Sequence, residues 1–340
     1  MLGLPGAVPG TVSGAVSGAD LGAAVAPPAA WQQALRQSVA PAWLTAQAGA
    51  ASLAPLRPRQ PLWVASAASA IVPTREASLA TSREPSPLSV SANRGDIGAD
   101  VGVEPIGSVE ADLFDQIGLQ RLSDGRFKLQ KHEHFGVNGW LLSGDTAAGL
   151  QQLALALRAA GLAGAWREEA LAVCNEGGVR LGAIERGAVR ALGIATQAVH
   201  LVGWRGDGRL WVQQRSLTKA NDPGLWDTLM GGMVSAADTV QSALARETWE
   251  EAGVQLPQLH GLSYGGRIEI CRPSSDAGGG CGYMVERIDW FQAVLPDGLQ
   301  PVNQDGEVAL FRTMALEEAA DQLQRQAFTL EAALVLCAQG

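Results

Sequence analysis

Alternating polar and apolar residues predict two β-hairpins in the second half of the chain. Residues 195–204 have β-strand character, residues 205–208 supply the glycine and aspartate of a tight turn, and residues 209–214 alternate again. Two such runs around a short turn are the usual signature of a hairpin. Residues 263–271 and 283–294 predict a second, longer hairpin across a glycine-rich loop.

Helical spacing predicts further elements on either side of these hairpins. A helix is predicted to start at Ser143-Gly144-Asp145 and to run to about Gly161, because leucines recur at helical spacing and the glycine suits a C-cap. Residues 166–173 predict a strand and residues 185–192 a short helix or turn, which together favour a small α/β unit. The last predicted element is a helix over residues 316–333.

The N-terminal third has a different composition. Ala, Gly, Pro, Ser and Val dominate it without sustained periodicity, which predicts a disordered or weakly helical tail. Three tryptophans are unusual for a linker and leave a docking patch open as an alternative. We therefore predict a tail over residues 1–105, a small α/β accessory domain over 106–194 and a main domain over 195–340, in keeping with the size of a 340-residue chain.

Charge and cysteine content narrow the class of protein. The net charge is −9, and no Lys/Arg-rich run supplies the electrostatic footprint of a nucleic-acid binder. The four cysteines lack the C-x-x-C spacing of a structural zinc site, so free thiols in a reducing cytoplasm are the expectation. Because no apolar run reaches about 18 residues, we expect neither a membrane helix nor a membrane partner. These exclusions leave a small anionic molecule as the expected binding partner, and the chain could also pair with a second copy as a homodimer.

One segment carries recognisable chemistry. Gly232 is followed after five residues by Asp238, and seven residues later by Arg-Glu-Thr-Trp-Glu-Glu-Ala-Gly over residues 246–253. Aspartate and threonine are good N-caps and glycine is a natural helix terminator, so this spacing predicts a helix from Asp238 or Thr239 to Gly253.

Three glutamates share one face of that predicted helix. Glu247, Glu250 and Glu251 stand at i, i+3 and i+4, where like charges destabilise an isolated helix by about 0.2 to 0.5 kcal/mol per pair. A hard divalent cation would offset this repulsion, since Mg²⁺ prefers carboxylate oxygens and is commonly shared with phosphates. The alternative is an ordinary solvated acidic face, but such a face does not require the flanking glycines.

The whole segment resembles the Nudix box, whose pattern is Gly, five residues, Glu, seven residues, Arg-Glu-apolar-any-Glu-Glu-any-Gly-apolar. Asp238 and Thr248 depart from this pattern. The resemblance implies an α+β fold, a Nudix α/β/α sandwich with a mixed sheet, and hydrolysis of a diphosphate with Mg²⁺ or Mn²⁺. It implies that Arg246 orients a carboxylate at its flank and that the metal ligands are Glu247, Glu250, Glu251 and Gly232. One of the three glutamates, which the sequence does not single out, can also serve as the catalytic general base.

The residues before the box narrow the resemblance. Arg215-Ser216, Lys219, Pro223-Gly224 and Asp227 are similar to the Nudix subfamily that occurs alone or fused to thiamine pyrophosphokinase. That resemblance implies conversion of damaged thiamine diphosphate to the monophosphate, with oxidised nucleoside diphosphates such as 8-oxo-dGDP as the alternative. The implied substrate-binding residues are Arg215, Lys219, Trp226 and Glu307.

Each of these candidates also has an ordinary structural interpretation. Arg215 and Lys219 could be surface charges at a hairpin end, Trp226 a core residue and Glu307 part of a surface turn. Two other functions compete as well. Isopentenyl diphosphate isomerase shares the same run but needs a cysteine close behind Asp227, where this chain has Thr-Leu-Met. A non-catalytic binding module would be expected to have lost the glutamate cluster.

Overall fold

The computed structural model describes residues 29–65, 102–119 and 122–338. Its strands are β1 (Arg59–Ala65), β2 (Val103–Glu110), β3 (Phe127–His134), β4 (Val137–Gly144), β5 (Ala170–Cys174), β6 (Arg180–Glu185), β7 (Ala195–Arg205), β8 (Leu210–Arg215), β9 (Trp226–Asp227), β10 (Met230–Met233), β11 (His260–Ser274), β12 (Gly282–Leu295) and β13 (Val308–Met314). Its helices are α1 (Ala29–Ser38), α2 (Pro41–Ala51), α3 (Leu113–Gln116), α4 (Thr146–Ala159), α5 (Val240–Ala252), α6 (Leu316–Gln324) and α7 (Leu330–Cys337).

Seven strands of the second half form one mixed sheet. Its order is β11-β12-β7-β8-β13, with β10 paired to β7 and β9 paired to β8. β7 and β8 form an antiparallel hairpin, as do β11 and β12, so both hairpins predicted from the alternating pattern are confirmed. The whole of β7 pairs in parallel with residues 285–295 of β12, which places the longer hairpin beside the shorter one.

Helices cover both faces of this sheet. Successive side chains of a strand point to opposite faces, and β7 shows the consequence: Val199 and Leu201 pack with Leu244 of α5, whereas Ala198 and Val202 pack with α1, α6 and α7. The expected α/β/α sandwich with a mixed sheet is therefore present. No helix in the described part of the chain is long and apolar enough to cross a membrane.

The accessory unit is built around a second sheet. Its order is β2-β1-β4-β3, and α4 packs three buried leucines against its core. Asp145 caps α4 by accepting a hydrogen bond from the Ala148 amide at 3.0 Å, and Gly161 adopts the left-handed conformation just beyond the helix. Both ends of this helix were predicted correctly. The strand expected over residues 166–173 is the shorter β5, which pairs with β6 as a separate hairpin.

The N-terminal segment departs most from the sequence prediction. The prediction was a disordered or weakly helical tail up to residue 105, but residues 29–65 form α1, α2 and β1. Residues 1–28 and 66–101 lie outside the described residues. Trp31, Leu35 and Val39 follow each other at four-residue intervals and are all buried, a helical spacing that the surrounding small residues obscure. The accessory sheet likewise begins with β1, well before the predicted boundary at residue 106.

The C-terminal helix predicted over residues 316–333 is divided into α6 and α7. Gln326 between them has a φ of 57°, a left-handed conformation that ends a helix, and Thr329 caps the start of α7. Backbone groups at this break form hydrogen bonds with the sheet. The Trp226 amide donates to the Ala327 carbonyl at 2.8 Å, and the Thr329 amide donates to the Trp226 carbonyl at 2.9 Å, so β9 takes up the backbone groups that the break leaves free.

Candidate active site

The helix that carries the three glutamates has well-defined ends. Thr239 is its N-cap, because its side chain accepts from the Ser242 amide at 3.1 Å while the Ser242 hydroxyl accepts from the Thr239 amide at 2.9 Å. Gly253 ends the helix with a φ of 64°, a conformation that glycine adopts at little cost. α5 therefore begins and ends where the spacing predicted.

Arg246 is the centre of the polar face of α5. Its Nε and Nη2 atoms donate to Asp238 Oδ2 at 3.1 and 2.8 Å, and its Nη1 atom donates to Glu247 Oε1 and to Glu250 Oε2, both at 2.9 Å. Nη2 also donates to the Met233 carbonyl at 3.2 Å. The shorter carboxylate of Asp238 thus reaches the arginine, so this departure from the box pattern leaves the contact intact.

The charges in this network influence one another. Although burial opposes its ionised form, Asp238 has a lowered pKa because Arg246, Ser242 and Ser235 donate hydrogen bonds to it. Burial also opposes the charged form of Arg246 and so lowers its pKa, but the carboxylates that it contacts raise the pKa overall. The network is therefore a fixed charged cluster, in which the arginine supplies the positive charge that holds three carboxylates together.

Glu247 lies directly against the backbone of Gly232. A Cβ atom built on Gly232 would overlap the Glu247 carboxylate, so any side chain at this position would force that carboxylate to move. Burial raises the pKa of Glu247 to about 7, and the negative charges of Glu250 and Glu307 add to the rise. Gly232 and Glu247 are thus brought together, as expected if the Gly232 carbonyl and the carboxylate share a cation.

Glu251 is the most deeply buried of the three glutamates, with 2% of its surface exposed. Its Oε2 atom accepts two hydrogen bonds, from the Gly231 amide at 3.0 Å and from the Gln213 side-chain amide at 2.8 Å. Burial raises the pKa of Glu251 to about 8. Sequence reasoning missed both donors, because Gln213 lies 38 residues before Glu251 and nothing in its local pattern signals the contact.

The donor set fits a hard divalent cation. Its side chains are carboxylates, the ligands that Mg²⁺ and Mn²⁺ prefer, and Glu251 has no ion-pair partner among the described residues. In this part of the chain no three acidic, histidine or cysteine side chains are already gathered at metal-binding distance, since Arg246 holds Glu247 and Glu250. A cation at Glu251 would supply the positive charge that this buried carboxylate lacks.

The predicted substrate-binding cations occupy two different environments. Lys219 forms an ion pair with Glu307, and both lie near the box: the positive charge of Lys219 counteracts the rise in the pKa of Glu251. Arg215 instead lies 3.5 Å from Asp227 and donates to the Asn221 carbonyl at 3.1 and 3.3 Å. Arg215 therefore holds the loop after β8 in place, whereas Lys219 has a more accessible partner.

Two aromatic side chains near the site, Trp226 and His200, already have partners within the domain. The guanidinium of Arg312 lies 4.5 Å from the centre of the Trp226 ring, so one face of this half-buried indole is already stacked. His200 is buried, and its Nδ1 atom lies 3.0 Å from the Thr228 hydroxyl. Burial lowers the pKa of His200, so this residue belongs to the core of the domain.

Comparison with known proteins agrees with this geometry. Residues 195–334 match the NUDIX domain family. The chain is 30% identical over 156 residues to Nudix hydrolase 24, chloroplastic, of Arabidopsis thaliana, a match that covers 43% of this chain and 39% of that protein. It is also 32% identical over 109 residues to isopentenyl-diphosphate Delta-isomerase of Streptomyces avermitilis, which covers 32% of this chain and 54% of the relative.

Among solved structures, DR0079 from Deinococcus radiodurans superposes with a TM-score of 0.40 at 21% identity, covering 49% of this chain and 97% of that one. In the two curated relatives, by contrast, the match spans only about two fifths to one half of the relative's length. The sandwich, the box helix between Thr239 and Gly253, and the family match over the same residues lead to one conclusion: residues 195–334 form a NUDIX domain.

Proposed function

We propose that this chain hydrolyses the diphosphate linkage of a small substrate in the presence of Mg²⁺, with Mn²⁺ as a possible substitute. The observation that carries the proposal is the polar face of α5, where Arg246 binds Asp238, Glu247 and Glu250. A non-catalytic descendant of the fold would not need to keep these carboxylates. The named Nudix hydrolase among the relatives supports the same reaction class.

The residues of this site would have separate roles in holding a metal ion and in orienting its ligands. A divalent cation held by Glu247, Glu250, Glu251 and the Gly232 carbonyl would neutralise charge on the diphosphate and acidify an attacking water. Arg246 keeps the carboxylates oriented, and Gly232 lets Glu247 approach the backbone. Glu250 is the most exposed of the three, with 43% of its side chain accessible, so we place it on the substrate side of the cluster.

Lys219 is the better candidate for binding the diphosphate. Its ammonium group is paired with Glu307, whose side chain is half exposed, so a phosphate oxygen could replace that carboxylate at low cost. Arg215 has 16% of its side chain exposed and is bonded to Asp227 and the following loop. We propose that Lys219 contacts the substrate directly and that Arg215 supports it by holding the loop.

The finer part of the proposal concerns the substrate. The run of Arg215-Ser216, Lys219, Pro223-Gly224 and Asp227 supports damaged thiamine diphosphate, released as the monophosphate, with an oxidised nucleoside diphosphate as the alternative. The test is a screen of kcat/KM for oxythiamine diphosphate, thiamine diphosphate, 8-oxo-dGDP, ADP-ribose and NADH with Mg²⁺ and with Mn²⁺. A marked preference for the thiamine compounds is expected, and a preference for ADP-ribose or NADH would refute the substrate assignment.

The second candidate is isomerisation of isopentenyl diphosphate, which the Streptomyces relative favours. The residues close behind Asp227 argue against it, because they are Thr-Leu-Met without a cysteine. Thr228 is buried, donates to the Met230 carbonyl at 2.8 Å and contacts His200, so its hydroxyl has a structural role. Incubation with isopentenyl diphosphate, followed by product analysis, should show no isomer. If isomer forms and no phosphate is released, isomerisation becomes the favoured function in place of diphosphate hydrolysis.

A further inference from the structure

Gln213 occupies a position where a polar side chain is costly. It lies on β8 between β9 and β13, in register with Asp227 and Phe311, and has 1% of its surface exposed. Burying an amide is unfavourable unless hydrogen bonds compensate for the lost water, so the presence of glutamine at this position requires a reason.

The hydrogen bonds of Gln213 are only half satisfied. Its Nε2 atom donates to Glu251 Oε2 at 2.8 Å, but its Oε1 atom is buried without a hydrogen-bond partner in the described part of the chain. An unsatisfied buried acceptor costs about 1 to 3 kcal/mol. Fold stability alone would therefore favour an apolar residue of the same shape, and among the described residues the contact with Glu251 is what favours glutamine.

The contact has a directional consequence for Glu251. Both of its donors, Gln213 and the Gly231 amide, bind the Oε2 atom, and no donor to Oε1 is found in the ranges that the structure describes. The carboxylate is thus fixed by one oxygen and leaves the other available. Fixing a ligand through its second oxygen is how neighbouring groups orient metal-binding carboxylates.

We propose that Gln213 is a positioning residue, which holds Glu251 so that its free oxygen faces the cation site, an inference that rests on the proposed metal-dependent function. Gln213 does not touch the substrate or the cation in this role. Its effect on catalysis passes through the orientation of Glu251, and removing it should weaken metal binding more than it weakens the fold.

The test uses the full chain without substrate and measures Mn²⁺ binding by the loss of the free-ion EPR signal. Gln213→Met keeps the length and removes the donor, and we expect its Mn²⁺ affinity to fall by about 10- to 100-fold. Gln214→Met is the matched control, because the adjacent amide points to the opposite face and donates to the Gly224 carbonyl. The control should bind Mn²⁺ as the wild type does.

A double-mutant cycle separates positioning from a general structural effect. If Gln213 acts through Glu251, the variant carrying both Gln213→Met and Glu251→Gln should bind Mn²⁺ no more weakly than Glu251→Gln alone. Wild-type affinity in Gln213→Met, additive losses in the double variant, or no Mn²⁺ binding by the wild type would each overturn the proposal. Phosphate release is read separately, so a wild type that binds Mn²⁺ yet hydrolyses no diphosphate refutes the hydrolase and leaves the positioning role standing.

Discussion

At the scale of single residues, the site depends on close contacts that a sequence pattern cannot describe. Glu247 approaches the backbone of Gly232 more closely than any side chain there would allow. Asp238 reaches Arg246 despite its short arm. The spacing of the box identified these residues, but the way in which they contact one another is visible only in the structure.

Gly232→Ala tests the closest of these contacts. The added methyl group would overlap the Glu247 carboxylate and displace it, and a shift of about 1 Å at a catalytic group can lower the rate by about a hundredfold. We expect a loss of that size in kcat, measured by phosphate release. Gly49→Ala is the control, since a Cβ atom there meets no neighbour within 4 Å. Wild-type activity in Gly232→Ala would contradict the described position of Glu247.

Glu251 predicts an unusual dependence of stability on pH. Its pKa rises from 4.5 in the unfolded chain to about 8 in the fold, chiefly through burial. Because the folded-state pKa is the higher one, the stabilising contribution of the protonated carboxyl is fully present below the unfolded pKa and is lost as pH rises through the folded pKa. Glu251→Gln cannot ionise, so it should gain stability relative to the wild type as pH rises.

Urea denaturation in EDTA at about pH 5 and about pH 9 measures this difference, because the two values bracket the transition. The free energy of unfolding of Glu251→Gln should exceed that of the wild type by a larger margin at the higher pH. Glu133→Gln, at an exposed position on β3, is the control and should show no such trend. An equal margin at both pH values would mean that Glu251 is not a buried carboxylate.

At the scale of elements, the accessory hairpin β5–β6 contacts the loop that leads into α5. The Ala236 amide donates to the Ala170 carbonyl at 2.7 Å, and Arg180 donates to the Ala236 carbonyl. Ser235 in the same loop donates to Asp238 at 2.9 Å, the carboxylate that anchors Arg246. The accessory unit therefore supports the box from outside the NUDIX domain.

Arg180→Met should loosen this loop without unfolding the protein, because the arginine is exposed. We expect kcat to fall by about tenfold as the box residues lose their fixed geometry, with little change in KM. Arg167→Met removes a nearby exposed arginine whose side chain forms no hydrogen bond or ion pair within the described ranges. Equal kcat in the two variants would show that the hairpin contact does not influence the box.

The N-terminal helix α1 gives a second prediction at this scale. Leu35 is fully buried between the sheet and the C-terminal helices, and the Trp31 ring lies 4.5 Å from that of Trp204. Leu35→Ala should lower the free energy of unfolding by about 2 to 5 kcal/mol, measured by urea denaturation. Leu56→Ala, at an exposed position, should change it little. A small effect at Leu35 would mean that α1 does not pack on the domain.

At the scale of the whole molecule, the sequence predicted the elements whose signal lies in local periodicity or motif spacing. The box helix, both hairpins of the main sheet and the capped helix α4 follow from local patterns. The packed segment over residues 29–65 was missed because alanines surround its three large apolar residues. The division of the last helix was missed because β9, about 100 residues earlier, supplies the partners for the break.

The central claim is that this NUDIX domain is a metal-dependent diphosphate hydrolase, and one assay tests it most directly. Phosphate release from the diphosphate panel is measured for the wild type with Mg²⁺, after removal of the metal by EDTA, and for Glu250→Gln with Mg²⁺. We predict release by the wild type and a large loss of activity in both other cases, because each removes the metal or one of its proposed ligands. No release from any diphosphate, or a Glu250→Gln variant as active as the wild type, would contradict the account.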